Sequence, residues 1–310
     1  MTDPTSPATP DSPWSTGAAY VNGSYCPIED ASISVLDWGM TRSDCTYDVV
    51  HVWKGCFFRL DDHIARFRAG TERLRLRLDL DDVELATVLH ECVRRSGLRD
   101  AYVSMTCTRG RPAPGSRDLN SCRNTLYCFA VPFIWIVEPE QQEAGAALWI
   151  SDIPRIPPES VDPQVKNYHW LDMTMALWDA YDHGAPLVLL RDQRGGITEG
   201  PGYNVFAFRR GRWLTPKAGT LQGITRRTVI ELCTAHGVPI EEARLAVDDV
   251  VEAEEVIVTS TAGGVMPVTT VAGKTIGDGT PGPRTRELRD RYWAAHDDPR
   301  WSTLVDYDAR

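Results

Sequence analysis

An α+β fold in two domains is predicted for this chain of 310 residues, and three observations predict it. Two-residue turn signals, Asn22-Gly23 and Lys54-Gly55, punctuate short apolar and β-branched runs in the manner of hairpins. Segments with apolar residues at helical spacing, such as Leu85, Val88, Leu89 and Val93, alternate with those hairpins. A Pro-rich passage, IPRIPPESVDPQ, stands between two such stretches as a connection. Residues 1–17, rich in Pro, Ser and Thr, are expected to be a disordered tail. A smaller first domain is expected over 18–140, a strand and connection over 141–165, and a larger second domain over 166–310.

Ala19–Val21 and Tyr25–Pro27 should form the first hairpin, and Thr46–Trp53 should turn into Cys56–Leu60. A helix opens at Asp61 and Asp62, whose carboxylates suit a helix start by capping and by the dipole. A second helix begins near Asp81 and stops at Ser96-Gly97. Strands over Ala101–Thr108 and Thr125–Val137 flank a long loop rich in Gly, Pro and Arg, a length usually kept for function or mobility. Another strand covers Ala146–Ser151. A helix over Leu171–Asp182 follows, then hairpins turning at Gln193–Gly196 and Arg210-Gly211. A helix over Thr225–His236, strands over Glu255–Thr259 and Pro267–Val271, and a helix over Arg284–His296 complete the reading.

Against 33 Lys+Arg stand 43 Asp+Glu, a net charge of −10. That balance argues against nucleic acid or an anionic membrane as the main partner, because both require a positive field. No run approaches the roughly 20 apolar residues of a membrane helix. The N-terminus lacks the basic and apolar regions of a signal peptide, so a cytoplasmic protein is expected. The eight cysteines include no CxxC pair, and several lie in strand-like apolar runs, where a reduced Cys serves as a small core residue. Phosphate-loop, zinc-hydrolase and serine-hydrolase motifs are absent. Asp61-Asp62-His63 is read as a helix start and not as a metal site, and the Arg/Leu alternation over 73–78 as a solvated face.

Lysine usage is more informative. The chain carries 29 Arg but only four Lys: Lys54, Lys166, Lys217 and Lys274. Three of these lie in turns or Pro/Gly-flanked loops. Lys166, in VKNYHW, stands among apolar and aromatic neighbours ahead of a helix, where an amine able to lose its proton has a use that Arg cannot serve. Downstream, Glu199 lies at a strand end beside Gly200 and Gly202, which let backbone approach a ligand. Gln222-Gly223-Ile224-Thr225 feeds directly into a helix, whose first N–H groups and the Thr225 hydroxyl suit a phosphate. A second such site is TSTAGGVMP (259–267), small and hydroxylated with two glycines after an apolar strand. An amine, a carboxylate and two phosphate-type turns are the parts that pyridoxal 5′-phosphate requires.

These pieces, DDHIARF, VKN, the TEGPGYN hairpin, LQGITR and STAGGVMP, occur in an order that resembles the class IV aminotransferases, the fold type IV family of pyridoxal-phosphate enzymes. The resemblance runs from about Tyr20 to the final helix. It implies two α/β domains with the cofactor at the domain interface, and a homodimer with shared active sites. It also implies that Lys166 forms the Schiff base with the cofactor and shuttles the substrate proton. Glu199 would face the pyridine nitrogen, and Arg66, Ile224, Thr225 and Thr261 would hold the phosphate. Tyr203 and Asn204 would lie against the ring. Pro201 departs from the small residue usual in the family and supplies no N–H.

Within the family the segment SDCTYDVVHVWKGCFFRLDDHI is most similar to the (R)-selective amine transaminases, as are VKNYHW and TAGGVMP. By that match Tyr47, Val49, Trp170, Thr261 and Ala262 would line the substrate pocket. Arg117, in the long loop, would admit a carboxylate. Arg42 stands where the (R)-amine group commonly has His, and a guanidinium there would favour substrates bearing a carboxylate. The implied reaction transfers an amino group from an (R)-amine or D-amino acid to a keto acid such as pyruvate in ping-pong half-reactions. D-amino acid or branched-chain transamination, or elimination by a lyase of the aminodeoxychorismate kind, stay open.

Overall fold

In a computed structural model, residues 16–308 are described, so the tail expected over 1–17 lies outside them up to residue 15. The chain forms two compact units, one running to Ile134 and resuming at Pro299, the other spanning Trp135–Asp298.

The first unit contains β1 (Ala18–Val21), β2 (Ser24–Pro27), α1 (Trp38–Arg42), β3 (Cys45–Trp53), β4 (Cys56–Phe58), α2 (Leu60–Arg73), α3 (Asp82–Ser96), β5 (Ala101–Arg111) and β6 (Arg123–Pro132). Both expected tight turns are present, with positive φ at Asn22, Gly23, Lys54 and Gly55, as a type I′ turn requires. Strand β5 runs on to Arg111 and β6 starts two residues earlier than expected, which shortens the Arg-rich loop to residues 112–122; β6 ends at Pro132, short of the expected Val137. Helix α3 starts with a full capping box between Asp81 and Glu84 and ends on left-handed Gly97. Helix α2 differs from expectation. Its first residue follows left-handed Arg59 with no side-chain cap; Asp61 and Asp62 act in the first turn, and Asp62 pairs with Arg59 Nε at 2.7 Å.

Alternation along β3 sets what each face carries. Val50 and Val52 pack with Ile64 and Phe67 of α2 and with Leu85 and Leu89 of α3. Asp48 shares that face and meets His63 and Arg66 of α2, so Tyr47 and Val49 point to the opposite face. In the 73–78 stretch Leu76 is buried while Arg73, Arg75 and Arg77 are exposed, as a solvated face demands.

The second unit contains α4 (Pro139–Ala144), β7 (Ala146–Pro154), α5 (Leu171–Asp182), β8 (Leu187–Arg191), β9 (Asn204–Arg209), β10 (Arg212–Pro216), α6 (Ile224–Ala235), β11 (Ile240–Ala243), α7 (Val247–Val251), β12 (Glu255–Ser260), β13 (Gly264–Val271), β14 (Lys274–Thr275) and α8 (Pro283–Ala294). Its sheet has the order β11-β10-β9-β12-β13-β7-β8, with β14 on β13. A last strand, β15 (Ser302–Leu304), returns to pair with β4 in the first unit's antiparallel sheet, ordered β15-β4-β3-β5-β6-β1-β2.

This topology differs from the expected division at 141–165. Strand β7 lies between β13 and β8, parallel to both, inside the second sheet. Parallel neighbours need a crossover, and the Pro-rich passage with α5 is the crossover from β7 to β8. The passage carrying Lys166 is therefore internal to the second unit. Residues 299–308, read as part of the second domain, belong with the first. None of the described cysteines forms a disulfide; Cys45, Cys92, Cys107, Cys128 and Cys233 are buried, and Cys26, Cys56 and Cys122 only half-buried. No helix among the described residues is long and apolar enough to cross a membrane.

Candidate active site

Glu199 is placed by a short antiparallel return onto β8, with Thr198 N–H donating to Leu190 O at 3.0 Å and Leu190 N–H to Glu199 O at 3.0 Å. The chain then reverses over Pro201-Gly202, closed by bonds between Gly200 and Tyr203. Gly202 has φ +82°. Proline followed by a glycine of positive φ is the composition of a type II turn, and Pro201 takes the position that needs no N–H. Pro201 is thus a turn-former here.

Glu199 is 4% exposed, and both of its carboxylate oxygens are held. Oε1 lies 3.2 Å from Arg155 Nε, while Oε2 accepts from the Thr220 hydroxyl at 3.0 Å and the Leu221 N–H at 2.8 Å. Arg155 in turn donates from Nη1 to Asp172 Oδ2 at 2.7 Å, and that oxygen also accepts the Ile156 N–H at 2.8 Å. Burial works against the Arg155 charge. Glu199 and Asp172 outweigh it and raise the guanidinium pKa above its ordinary value. This donor set, a guanidinium, a hydroxyl and a backbone N–H, satisfies both buried carboxylate oxygens.

Lys166 lies half-buried on irregular chain just ahead of α5. The segment is fixed on both sides of it. Gln164 Nε2 donates to Thr220 O at 3.1 Å, Asn167 Nδ2 to Val165 O at 2.8 Å, and Trp170 Nε1 to Asn167 O at 3.0 Å. Thr220 therefore joins the lysine segment through its carbonyl and Glu199 through its hydroxyl.

Asn204 completes this link from the sheet, donating from Nδ2 to Thr220 Oγ1 at 2.6 Å and to Leu221 O at 3.0 Å. A Cβ on Gly223 would collide with Asn204 Oδ1, so only glycine lets α6 start this close to the sheet. Helix α6 begins at Ile224 without a side-chain cap, which leaves its first N–H groups for an anion beside buried Thr225. The turn after β12 approaches the Pro201-Gly202 turn, because Ser260 Oγ donates to Gly202 O at 2.8 Å and accepts the Ala262 N–H at 3.1 Å. Thr261 is half-buried and Ala262 buried in that turn. Gly202 lies beside the Trp170 indole.

The structure thus gathers Lys166, Trp170, Glu199, Asn204, Ile224, Thr225, Thr261 and Ala262 around connected segments of the second unit. Tyr203 is placed differently from expectation. Its ring packs into the core with Val205 and Leu187, and its hydroxyl both accepts the Val188 N–H (2.8 Å) and donates to Val188 O (2.9 Å). Burial pushes that phenol's pKa up, so Tyr203 is a core anchor for the turn. Asn204 braces the loop through its amide nitrogen.

In the first unit Arg66 makes a two-pronged pair with Asp48, Nε to Oδ2 at 2.7 Å and Nη2 to Oδ1 at 2.8 Å, while His63 Nδ1 lies 2.8 Å from Oδ1. Tyr47 and Val49 are buried on the other face of β3. Arg42 is exposed at the end of α1, its guanidinium carbon 3.4 Å from the Trp38 ring centre. Arg117 is exposed on a loop braced by Ser116, Asp118 and Ser121.

Sequence reasoning missed Arg155, Asp172, Thr220 and Asp48. Arg155 sits in a Pro-rich passage that reads as a linker, and one Arg among 29 carries no signal. Asp172 reads as an ordinary helix-start acid. Asp48 was detectable, since a carboxylate inside CTYDVVHVW requires a buried partner.

Residues 46–271 match the family model described as amino-transferase class IV. The chain is 30% identical over 275 residues to a putative branched-chain-amino-acid aminotransferase of Methanocaldococcus jannaschii, covering 88% of this chain and 94% of the relative. It is 31% identical over 274 residues to a D-alanine aminotransferase of Bacillus licheniformis, covering 86% and 93%. Among solved structures, the branched-chain amino acid aminotransferase of Thermoproteus uzoniensis with norvaline superposes with a TM-score of 0.85 at 24% identity, covering 93% of this chain and 99% of the other. The Escherichia coli branched-chain enzyme superposes at 0.89 with 23% identity, again covering 93% and 99%. Both are likenesses of fold. The chain belongs to the class IV aminotransferase family and has its fold type IV architecture.

Proposed function

We propose that this chain is a pyridoxal-phosphate transaminase that takes amino groups from (R)-amines or D-amino acids and delivers them to a keto acid such as pyruvate. The observation that carries the reading is the buried Glu199 carboxylate, held by hydrogen bonds from Arg155, Thr220 and Leu221 and tied through Thr220 to the lysine segment. The residues present fit the cofactor. The uncapped start of α6 and Thr225 suit its phosphate, Glu199 its ring nitrogen, and Lys166 its aldehyde carbon. When bound, the cofactor supplies an electron-withdrawing ring that stabilises negative charge at the substrate carbon.

Lys166 Nζ serves as the attachment point and moves the proton on and off the substrate carbon. Glu199 holds the proton at the ring nitrogen. The Ile224 and Thr225 amides orient the phosphate, and Thr261 is assigned to the same anion. Arg66, whose guanidinium Asp48 fixes in place, is assigned to that anion as well. Tyr47, Val49, Trp170 and Ala262 are assigned to substrate, and Arg117 to a substrate carboxylate. Arg42 rests on the Trp38 indole, a cation–π placement worth about 0.5–2 kcal/mol, so it has a stable position without a carboxylate ligand. That placement favours the amine reading over an obligate amino acid substrate.

The test is a parallel titration of the holoenzyme with (R)-1-phenylethylamine, D-alanine and L-leucine, reading the cofactor's visible absorbance. Bleaching by the (R)-amine and by D-alanine, with turnover that depends on added pyruvate, is expected. A response to L-leucine alone overturns the chirality and makes the chain a branched-chain transaminase. Turnover without any keto acid makes it a lyase.

The reading includes a homodimer. Leu171, Met175 and Trp178 on α5 are 66%, 55% and 65% exposed and, with Tyr181, form one stripe at helical spacing. A contiguous apolar stripe of this kind ordinarily marks an interface. Sedimentation velocity should show a dimer, and Trp178→Glu should shift it towards monomer. A monomeric wild-type protein removes this part of the reading.

A further inference from the structure

We propose that Asp172 acts as a positioning residue for the proton at the cofactor ring nitrogen, by cancelling the Arg155 charge so that Glu199 keeps an uncompensated negative charge. The inference rests on the proposed function and concerns how this chain tunes that site.

The three groups form one buried line. Glu199, Arg155 and Asp172 are 4%, 9% and 9% exposed, and the Arg155 guanidinium bridges the carboxylates through Nε at 3.2 Å and Nη1 at 2.7 Å. Arg155 alone beside Glu199 would make a neutral pair, which has little electrostatic attraction for a ring N–H⁺. Adding Asp172 returns the cluster to a net charge of −1, and the low-dielectric surroundings let that charge act over more than one shell. Asp172 is itself well held. Its Oδ2 takes Arg155 Nη1 and the Ile156 N–H, and its Oδ1 takes the Met173 N–H at 2.9 Å in the first turn of α5, where the dipole favours an anion. Glu199 needs no Asp172 for its own hydrogen bonds, since Thr220 and Leu221 supply two of them. What Asp172 adds is charge.

A purely structural brace makes a different prediction from a charge balance, and opposite-sign variants separate the two. Asp172→Asn, Arg155→Gln and the double variant are reconstituted with pyridoxal phosphate carrying ¹⁵N in the ring, and the ring nitrogen signal is followed with pH. Asp172→Asn is expected to lower the pH at which the ring loses its proton by about one unit or more. Arg155→Gln, leaving two carboxylates, is expected to raise it. The double variant should return towards wild type even though it breaks the brace. Single variants that shift the same way or not at all, or a double variant displaced beyond both, overturn the proposal. Should Arg155→Gln fail to fold, Asp172→Glu supplies the contrast: it disturbs the same contacts but keeps the charge, and it should titrate like wild type where Asp172→Asn does not. Wild-type protein that retains no cofactor defeats the underlying functional reading and not this charge balance.

Discussion

Lys166→Ala is expected to abolish transamination and covalent cofactor attachment while leaving the fold intact. Loss of a positioned proton carrier alone costs about 10²–10⁴-fold in turnover, and loss of the attachment point adds to that. Stability should change little. Lys166 is half-buried on irregular chain, and hydrogen bonds from Gln164, Asn167 and Trp170, which the substitution leaves in place, hold its segment. Urea midpoints of the wild type and the variant should therefore agree within about 0.5 kcal/mol of stability. Borohydride reduction of the holoenzyme followed by peptide mass analysis supplies a readout independent of turnover. Label on Lys166 in wild type and none in Lys166→Ala is the expected pattern. With only Lys54, Lys217 and Lys274 left as alternatives, label that moves to one of them would relocate the site.

The lysine was legible because composition isolates it: four Lys against 29 Arg make each one a question. Glu199 and the start of α6 were legible for a different reason. Glycines beside a strand end and before a helix mark close backbone approach, and Gly223 against Asn204 is that approach. Local turn chemistry likewise carried Asn22-Gly23, Lys54-Gly55 and the helix start near Asp81, each fixed by residues within four positions.

What the sequence concealed is non-local. Arg155 and Glu199 are 44 residues apart, and nothing in IPRIPP announces a guanidinium turned inward. The crossover role of 155–170 depends on β7 lying between β13 and β8, a pairing across more than 100 residues that local pattern cannot express. Tyr203 shows the same limit at one residue. Its position in the motif placed it by the ring, but the β8 backbone claims its hydroxyl. The return of β15 to β4 joins chain segments more than 240 residues apart and moved the final residues out of the expected second domain.

Asp48→Asn is expected to cost about 3–5 kcal/mol, the range for removing one partner of a buried ion pair. Asp48 is fully buried, and its carboxylate takes two bonds from Arg66, one from His63 and one from the Val49 N–H at 2.7 Å. Burial opposes the charged form, but Arg66 and His63 outweigh it and hold the carboxyl well below the usual range. The amide removes the charge that balances Arg66 and turns one acceptor into a donor facing donors. Urea denaturation measures the loss. Asp48→Leu with Arg66→Met tests its origin, since an apolar pair of similar volume is often neutral for stability. The double variant should recover most of the midpoint yet retain less cofactor, because Arg66 is the proposed anion ligand; full retention would remove Arg66 from that role. The same cluster fixes a pH dependence. Burial pushes the His63 pKa below its ordinary 6.5 despite Asp48, so its contribution is complete above 6.5 and declines as pH falls, because the unfolded chain takes up the proton first. The Asp48 contribution is present above the ordinary 3.8 and is lost only as pH falls through the depressed folded value. Thermal midpoints should therefore begin to fall just below pH 6.5, and His63→Gln should flatten that first decline. A wild-type midpoint that holds level from pH 7 to pH 5 would mean that His63 binds its proton equally in the folded and unfolded chain, and one that rises as pH falls would mean that His63 folds protonated beside Arg66.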